Sequence, residues 1–177
     1  IGDQLVLNGT KFACELDMDS VRVGSSLFMT DGAKFKDVVL RSARVDGQVA
    51  MQGSTFTGEL NMNRLTVESS LFMCDGATFQ GVDIRGARVG DQIVMDASTF
   101  RGKLNMQGLY VGEILAMRSG ARFLESVDLV GANAAGVLAI TDCFFATSMD
   151  LRQATANVLR DDPAVWAKQL HLGGFTY

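Results

Sequence analysis

Apolar residues recur along this chain with a period of 22 residues, and the repeat is clearest from Val89 to Val111. Counted from Val89, apolar side chains fall at steps of 4, 6, 11, 15, 17 and 20, and Val111 at step 22 begins the next unit in register. A fixed period of this length indicates a solenoid in which each repeat forms one coil. Seven coils begin at Ile1, Val23, Val45, Val67, Val89, Val111 and Ala134.

Within each coil the apolar residues form four pairs, and the two members of a pair lie two positions apart. This alternation predicts short β-strands that each bury one side. The residues between pairs are rich in Gly, Asp, Ser and Asn, which is typical of tight corners. The sequence therefore predicts an all-β fold, a four-sided parallel β-helix (β-solenoid) of seven to eight 22-residue coils. Coils stacked about 4.8 Å apart would form a rod about 34 Å tall.

Because the coils are in register, equivalent inward residues predict ladders of like side chains inside the rod. One ladder has a Phe in every coil: Phe12, Phe35, Phe56, Phe79, Phe100, Phe123 and Phe145. A second is rich in Met: Leu7, Met29, Met51, Met73, Met95, Met117 and Ile140. A Met ladder can also suggest a soft-metal site, but such sites group Met with Cys or His, so we favour core packing.

The outward residue in the middle of each strand defines four faces of the rod. The apolar face carries Val6, Phe28, Ala50, Phe72, Val94, Ala116 and Ala139. The threonine face carries Lys11, Lys34, Thr55, Thr78, Thr99, Arg122 and Phe144. The aspartate face carries Asp17, Val39, Asn61, Asp83, Asn105, Asp128 and Asp150. The arginine face carries Arg22, Arg44, Thr66, Arg88, Tyr110, Asn133 and Thr155.

The apolar face is the candidate partner-binding surface of this chain. On a free solenoid every face is expected to be polar, yet none of the seven middle positions of this face is polar. A continuous apolar patch of a few hundred Å² usually marks a contact surface. We expect Phe28 and Phe72 to be its anchors, bracketing a side chain of a partner or of a second copy. In the alternative interpretation, the C-terminal segment with Trp166, or sequence missing from this chain, covers this face.

The period is lost near residue 156, so we divide the chain into a solenoid domain, residues 1–156, and a C-terminal segment, residues 157–177. Asp161 or Asp162 can cap a helix that has Pro163 in its first turn, which predicts a short helix over residues 163–169. Leu170 and Leu172 then resume the spacing of an eighth coil. Neither end shows a polar capping unit, so we expect a piece of a longer protein or ends that a partner covers.

Composition narrows the function classes further. The 177 residues carry a net charge of −4 with a pI near 4.9, which argues against a nucleic-acid-binding groove. No apolar run approaches the roughly 20 residues of a membrane span, and the first residues do not have the basic-then-apolar pattern of a signal peptide. The first residue is Ile, so a leader removed from a processed or trimmed chain stays an alternative. A cytoplasmic location is therefore the default expectation.

The sequence offers no constellation of residues for catalysis, for a cofactor or for a metal. His171 is the only His, so no Ser-His-Asp, Cys-His or His-rich site can form within the chain. Cys14, Cys74 and Cys143 lie in different coils and are predicted to be buried free thiols. Asp128 and Asp150 on neighbouring coils suggest an acid/base pair, but we favour a solvated ladder of Asp and Asn. The Gly residues follow the corners and form no phosphate-binding motif.

Five triplets, each with a polar residue between two inward ones, carry a resemblance to a known family: Ala43-Arg44-Val45, Ala87-Arg88-Val89, Ala132-Asn133-Ala134, Leu60-Asn61-Met62 and Leu104-Asn105-Met106. They resemble the pentapeptide-repeat family over residues 1–156, which implies a right-handed quadrilateral β-helix. This chain departs from the family in its 22-residue coils, where the family unit implies 20, and in its use of Met and Val. The segment Asp161-Asp-Pro-Ala-Val-Trp166, with the residues that follow it, is similar to a part of large actinobacterial repeat proteins often labelled membrane-associated oxidoreductases, but no residue here supports that activity.

Two hypotheses for function follow. The first is a non-enzymatic scaffold or protein-protein interaction module, without a cofactor, whose partner is another protein or a second copy. The alternative, which the resemblance implies, is a DNA-mimicking modulator of a type II topoisomerase. A DNA mimic needs closely spaced negative charge. The aspartate face is interrupted by Val39, Asn61 and Asn105 and borders the arginine face, so the first hypothesis is favoured.

Overall fold

The computed structural model describes all 177 residues and shows a parallel β-solenoid of about eight coils, as the 22-residue period predicts. Every strand pairing is parallel and joins equivalent positions of successive coils, for example Phe72 with Val94 and Phe79 with Phe100. The only helical element is a single 3-10 turn, Pro163–Val165. No helix in the structure has the length and apolar character needed to cross a membrane.

Two sheets wrap around the rod, and each covers two faces. The apolar face contains the strands Leu5–Val6, Leu27–Phe28, Val49–Ala50, Leu71–Phe72, Gln92–Val94 and Ile114–Met117. The arginine face contains Arg22–Val23, Arg44–Val45, Thr66–Val67, Arg88–Val89 and Tyr110–Val111. Two longer strands run from the arginine face to the apolar face, Asn133–Ile140 and Thr155–Asp161.

The second sheet covers the other two faces. The threonine face contains Lys34–Phe35, Thr99–Phe100, Ala121–Phe123 and Cys143–Phe145. The aspartate face contains Leu16–Asp17, Val38–Val39, Leu104–Asn105, Val127–Asp128, Ser148–Asp150 and Gln169–His171. Two longer strands join these faces, Thr55–Asn61 and Thr78–Asp83.

The predicted inward ladders form the core of the rod. Consecutive rings of the Phe ladder are stacked, with centroids 4.8 to 5.6 Å apart, from Phe12 to Phe145. The methionines from Met29 to Met117 are fully buried beside this ladder. Since the Met side chains contact other apolar groups of one continuous core, packing accounts for this column.

The corners explain an alternation in the sequence, in which the step from the Met ladder to the Phe ladder is five residues in odd coils and six in even coils. In even coils the corner contains two consecutive residues with positive φ, such as Asp75 and Gly76. In odd coils it contains one, such as Ala97. The extra left-handed residue takes up the extra length, so the Phe rings stay in register.

The C-terminal segment differs in part from the prediction. Asp162 does cap a turn, because its Oδ1 accepts a hydrogen bond from the Ala164 amide at 2.9 Å, but the turn ends at Val165. The helix predicted over residues 163–169 is therefore wrong beyond its first turn. The physical reason is that the strand Gln169–His171 already pairs with the preceding coil, through Leu170 and Met149. The eighth coil that Leu170 indicates is confirmed.

Candidate functional site

The apolar face is a flat sheet surface with three outward columns, because every second residue of its strands points away from the core. Register is constant along the middle column, where Phe28 pairs with Ala50, Ala50 with Phe72, and Ala116 with Ala139. The structure thus brings together all the predicted residues: Val6, Phe28, Ala50, Phe72, Val94, Ala116 and Ala139.

The middle column is not the uniformly exposed strip that the sequence suggests. Val6 is 50% exposed, whereas Phe28, Phe72 and Val94 are partly buried. Ala50 is only 2% exposed although it points outward. Ala116 and Ala139 are 0% and 3% exposed, so all three outward alanines of the column are almost completely covered.

Phe28 and Phe72 lie two coils apart, which is about 10 Å at the spacing of strands in a sheet. Ala50 lies between them, but it is only 2% exposed and neither surface cleft is lined by these residues, so the structure has no open pit there.

The two flanking columns carry no unpaired charge over seven coils. The only charged residues are Asp96 and Arg118, and these neutralise each other through a 2.9 Å contact between Asp96 Oδ2 and Arg118 Nη2. The other flanking residues are Gln4, Ser26, Gln48, Ser70, Gln92, Ile114, Val137, Asn8, Thr30, Gln52, Cys74 and Thr141. Apart from Cys74, Ile114 and Val137, these flanking residues are neutral hydrogen-bonding groups, as at the rim of a protein interface.

Sequence reasoning missed an extension of the apolar surface. Ile114, Val137 and Val158 pair in register two positions before the middle column, and Val158 is 45% exposed. The signal was present in the sequence, but only the middle position of each strand was used to define the faces.

The C-terminal segment does not cover the anchors. Trp166 belongs to the eighth coil, where its Nε1 donates a hydrogen bond to Asp161 at 2.9 Å. Phe72 belongs to the fourth coil, about 19 Å away along the rod. Within this chain, the alternative that Trp166 covers the apolar face is therefore wrong for Phe28 and Phe72.

The aspartate face has a structural role. Its Asp and Asn side chains accept hydrogen bonds from the backbone amide two residues later, at 2.9 to 3.2 Å, at Asp17, Asn61, Asp83, Asn105, Asp128 and Asp150. Arg85 and Arg152 also donate to the carboxylates of Asp83 and Asp150. The acidic charge is thus partly neutralised, and the charge distribution gives no support to the DNA-mimic hypothesis.

We expect Asp83→Asn to destabilise the protein slightly and in a pH-dependent way. Burial alone would raise the pKa of Asp83, but hydrogen bonds from the Arg85 side chain and amide, together with its charge, lower this pKa overall. Because the folded pKa lies below the unfolded value, the carboxylate contributes stability above about pH 4, and this contribution is lost as the pH falls through the folded pKa.

The expected loss at pH 7 is below about 1 kcal/mol, since this pair is largely solvated. Asn keeps the backbone hydrogen bond, as Asn61 and Asn105 do at equivalent positions. Thermal melting of wild type and variant at several pH values is the measurement. Their difference should shrink as the pH falls through the folded pKa of Asp83, and a difference that stays constant with pH would show that the Arg85 pair does not contribute.

The cysteines are free, but they do not form a site. Cys74 and Cys143 are buried as predicted, and burial is the main cause that raises the pKa of each thiol to about 12, so both stay neutral at pH 7. Cys14 is exposed, so the prediction of a buried thiol is wrong there. It lies at a corner of the first coil.

No other part of the surface forms a pocket large enough for a typical small-molecule ligand. The two surface clefts, of about 160 and 260 Å³, lie near Tyr110 and near Arg64. Both are smaller than the roughly 300 to 1,000 Å³ of typical small-molecule sites. No group of three His, Cys, Asp or Glu side chains is arranged to hold a metal ion.

Comparisons with known proteins do not indicate a function, so the function is inferred from the geometry of the surface. No protein-family model matches the chain, and neither a curated protein nor a solved structure does.

Proposed function

We propose that this chain is a non-enzymatic β-solenoid module that binds protein through its apolar face. The observation that carries the proposal is the apolar face itself, an unbroken outward column of seven apolar residues with charge-neutral flanks. The other three faces carry charged or polar residues in most coils. A rigid ladder of strands also holds the anchors Phe28 and Phe72 at a fixed separation, which favours specific docking.

We also propose that the coils are related to pentapeptide repeats. In the triplets Ala43-Arg44-Val45 and Leu60-Asn61-Met62 the outer residues are buried and the middle one points outward, which is the inward-outward pattern of that family. The 22-residue coil makes this chain a divergent relative.

We also propose that the module is not an enzyme. Its support is chemical: the single His171 is exposed and the two buried thiols are neutral at pH 7, so no activated nucleophile with an adjacent base is formed. Turnover of a substrate by the purified protein would contradict it.

The double substitution Phe28→Ser, Phe72→Ser tests the binding surface. We expect it to abolish self-association in sedimentation experiments, or to reduce capture of a partner in pulldowns at least 10-fold, because both anchors lose their aromatic contact area. The matched control is Thr55→Ser, Thr99→Ser, which changes two equally spaced outward residues of the threonine face and should leave binding unchanged.

If wild type and the Phe28→Ser, Phe72→Ser variant are both monomeric and capture the same proteins, the apolar face is not the binding surface.

A further inference from the structure

We propose that the threonine face binds an acidic polysaccharide that lies along the rod axis and in which charged and neutral sugars alternate. The site is on another side of the rod from the apolar face, so it does not depend on the function proposed above. It consists of one outward column that stays in register through coils one to seven: Lys11, Lys34, Thr55, Thr78, Thr99, Arg122 and Phe144.

The centre of this column is a ladder of three hydroxyl groups. Thr55, Thr78 and Thr99 pair in register, with steps of about 4.8 Å at the spacing of strands in a sheet. Their hydroxyls make no hydrogen bond within the protein, whereas those of Ser54 and Ser98 in the preceding corner donate to backbone carbonyls. Each unpaired hydroxyl can donate one hydrogen bond and accept others. Coils three to five therefore present unused hydrogen-bonding groups at every step along the rod.

Unpaired cations lie at both ends of the hydroxyl ladder. Lys34 precedes it in coil two and Arg122 follows it in coil six, about 19 Å away along the rod. Both are exposed and neither forms a salt bridge, although six other basic residues of the chain do. No residue of the column is acidic, and the carboxylates that border it, such as Asp31 and Asp75, lie in the corners. The column thus has positive charge at separated points and neutral hydroxyls between them.

An exposed aromatic ring extends the column beyond Arg122. Phe144 in coil seven is 46% exposed, and Cζ of Arg122 lies 5.2 Å from the centre of its ring. This contact holds the guanidinium over the column, where it can bind a carboxylate through two hydrogen bonds. The exposed part of the ring is a flat apolar surface, which suits the C–H face of a sugar ring.

The spacing of charge favours this class of ligand. A sugar ring in an extended chain advances by about the height of one coil, so a polysaccharide along the rod presents one sugar to each coil. With a carboxylate on every second sugar, the charges fall on alternate coils. Those over coils two and six meet Lys34 and Arg122, and the one over coil four accepts a hydrogen bond from Thr78. The neutral sugars over coils three and five meet Thr55 and Thr99.

Other polyanions match this face less well. A nucleic acid carries a phosphate on every unit, so several of its charges would lie over coils three to five, where the column has no cation. An acidic peptide would place its backbone groups against side chains, whereas peptides that bind sheets pair these groups with a sheet edge. A polysaccharide has hydroxyl groups of its own, which pair with the threonine hydroxyls and with water.

Titration with a hyaluronan octasaccharide, followed by NMR, tests the proposal. Carboxylates alternate with neutral sugars in this probe, and it is long enough to reach from Lys34 to Arg122. The methyl signals of Thr55, Thr78 and Thr99 should shift. The neutral chain cellohexaose should bind roughly 10-fold more weakly, because it lacks the charge-assisted hydrogen bonds.

The double substitution Lys34→Gln, Arg122→Gln should weaken hyaluronan binding roughly 10-fold. The matched control is Arg22→Gln, Arg88→Gln, which removes the same charge from two exposed cations of the arginine face. It should leave the affinity unchanged. All four side chains are exposed, so melting curves of both variants should match that of wild type.

Thr78→Val tests the hydroxyl ladder without a change in charge. Val has nearly the shape of Thr but no hydroxyl group, so hyaluronan binding should weaken about threefold. Thr66→Val is the matched control, because Thr66 is the outward threonine of the same coil on the arginine face. It should not change the affinity.

Equal binding of cellohexaose and hyaluronan, or equal weakening by the two charge variants, would overturn the proposal, because the face would then recognise no carboxylate. Tighter binding of single-stranded DNA or polyglutamate to the same threonines would assign the face to another polyanion and would also overturn it. Absence of shifts at roughly 10 mM octasaccharide would overturn the site itself. The protein-binding function is tested separately, since its anchors Phe28 and Phe72 are unchanged in all of these variants.

Discussion

Replacing Phe100 with Ala is expected to lower the free energy of unfolding by about 3 to 5 kcal/mol. Phe100 is 1% exposed and stacks between Phe79 and Phe123, with ring centroids at 4.9 and 5.0 Å. The coils above and below it are held by backbone hydrogen bonds, such as that from the Thr99 amide to Ala77. The neighbouring coils therefore cannot close over the missing ring, and the substitution leaves a cavity.

Urea unfolding followed by circular dichroism measures this effect, with Phe144→Ala as the matched control. Phe144 precedes Phe145 of the same ladder on the same face, but it points outward and is 46% exposed. Its truncation should cost less than about 1 kcal/mol. Equal losses for Phe100→Ala and Phe144→Ala would contradict the assignment of inward and outward positions.

The second large effect is expected for Gly112→Ala, which should destabilise the protein by about 2 to 3 kcal/mol. A Cβ atom at Gly112 would lie 1.8 Å from the backbone oxygen of Gly90 in the preceding coil. Backbone cannot move aside as a flexible side chain can, so the two coils must separate locally. The same close approach occurs at Gly90, whose Cβ would lie 2.0 Å from the Glu68 oxygen.

Gly173→Ala is the control for this prediction. A Cβ atom there would meet its nearest neighbour, Arg152 Cγ, at an ordinary 3.7 Å, so thermal stability should change little. If Gly112→Ala melts at the same temperature as Gly173→Ala, coils five and six are not as close as the structure places them.

The period of the sequence was sufficient to predict the core. Strand alternation places Phe79 and Met73 inside the rod and Thr78 and Phe72 outside it, and a 22-residue repeat brings like residues into register. Each coil repeats the same local geometry, so the inward and outward positions of one coil determine those of the others. For the same reason the seven residues of the apolar face were identified without the structure.

The features that were not predicted depend on contacts between coils. Ala50, Ala116 and Ala139 were expected to be exposed because they point outward, but each is at most 3% exposed, since a short methyl group lies below the longer side chains around it. The helix predicted after Pro163 had good local signals, yet pairing of Leu170 with Met149 ended it after one turn. The close approach of Gly112 to Gly90 also joins residues 22 positions apart. The composition of a single corner does not reveal such a contact.

The most direct test of the binding surface is an NMR dilution series that follows methyl and aromatic signals. The methyl groups of Ala50, Val94 and Ala116 and the rings of Phe28 and Phe72 should shift with protein concentration, because association buries the apolar face. The methyl groups of Thr55, Thr78 and Thr99 on the threonine face should not shift. Concentration-dependent shifts confined to the threonine, aspartate or arginine faces would contradict the central claim that the apolar face is where this protein binds.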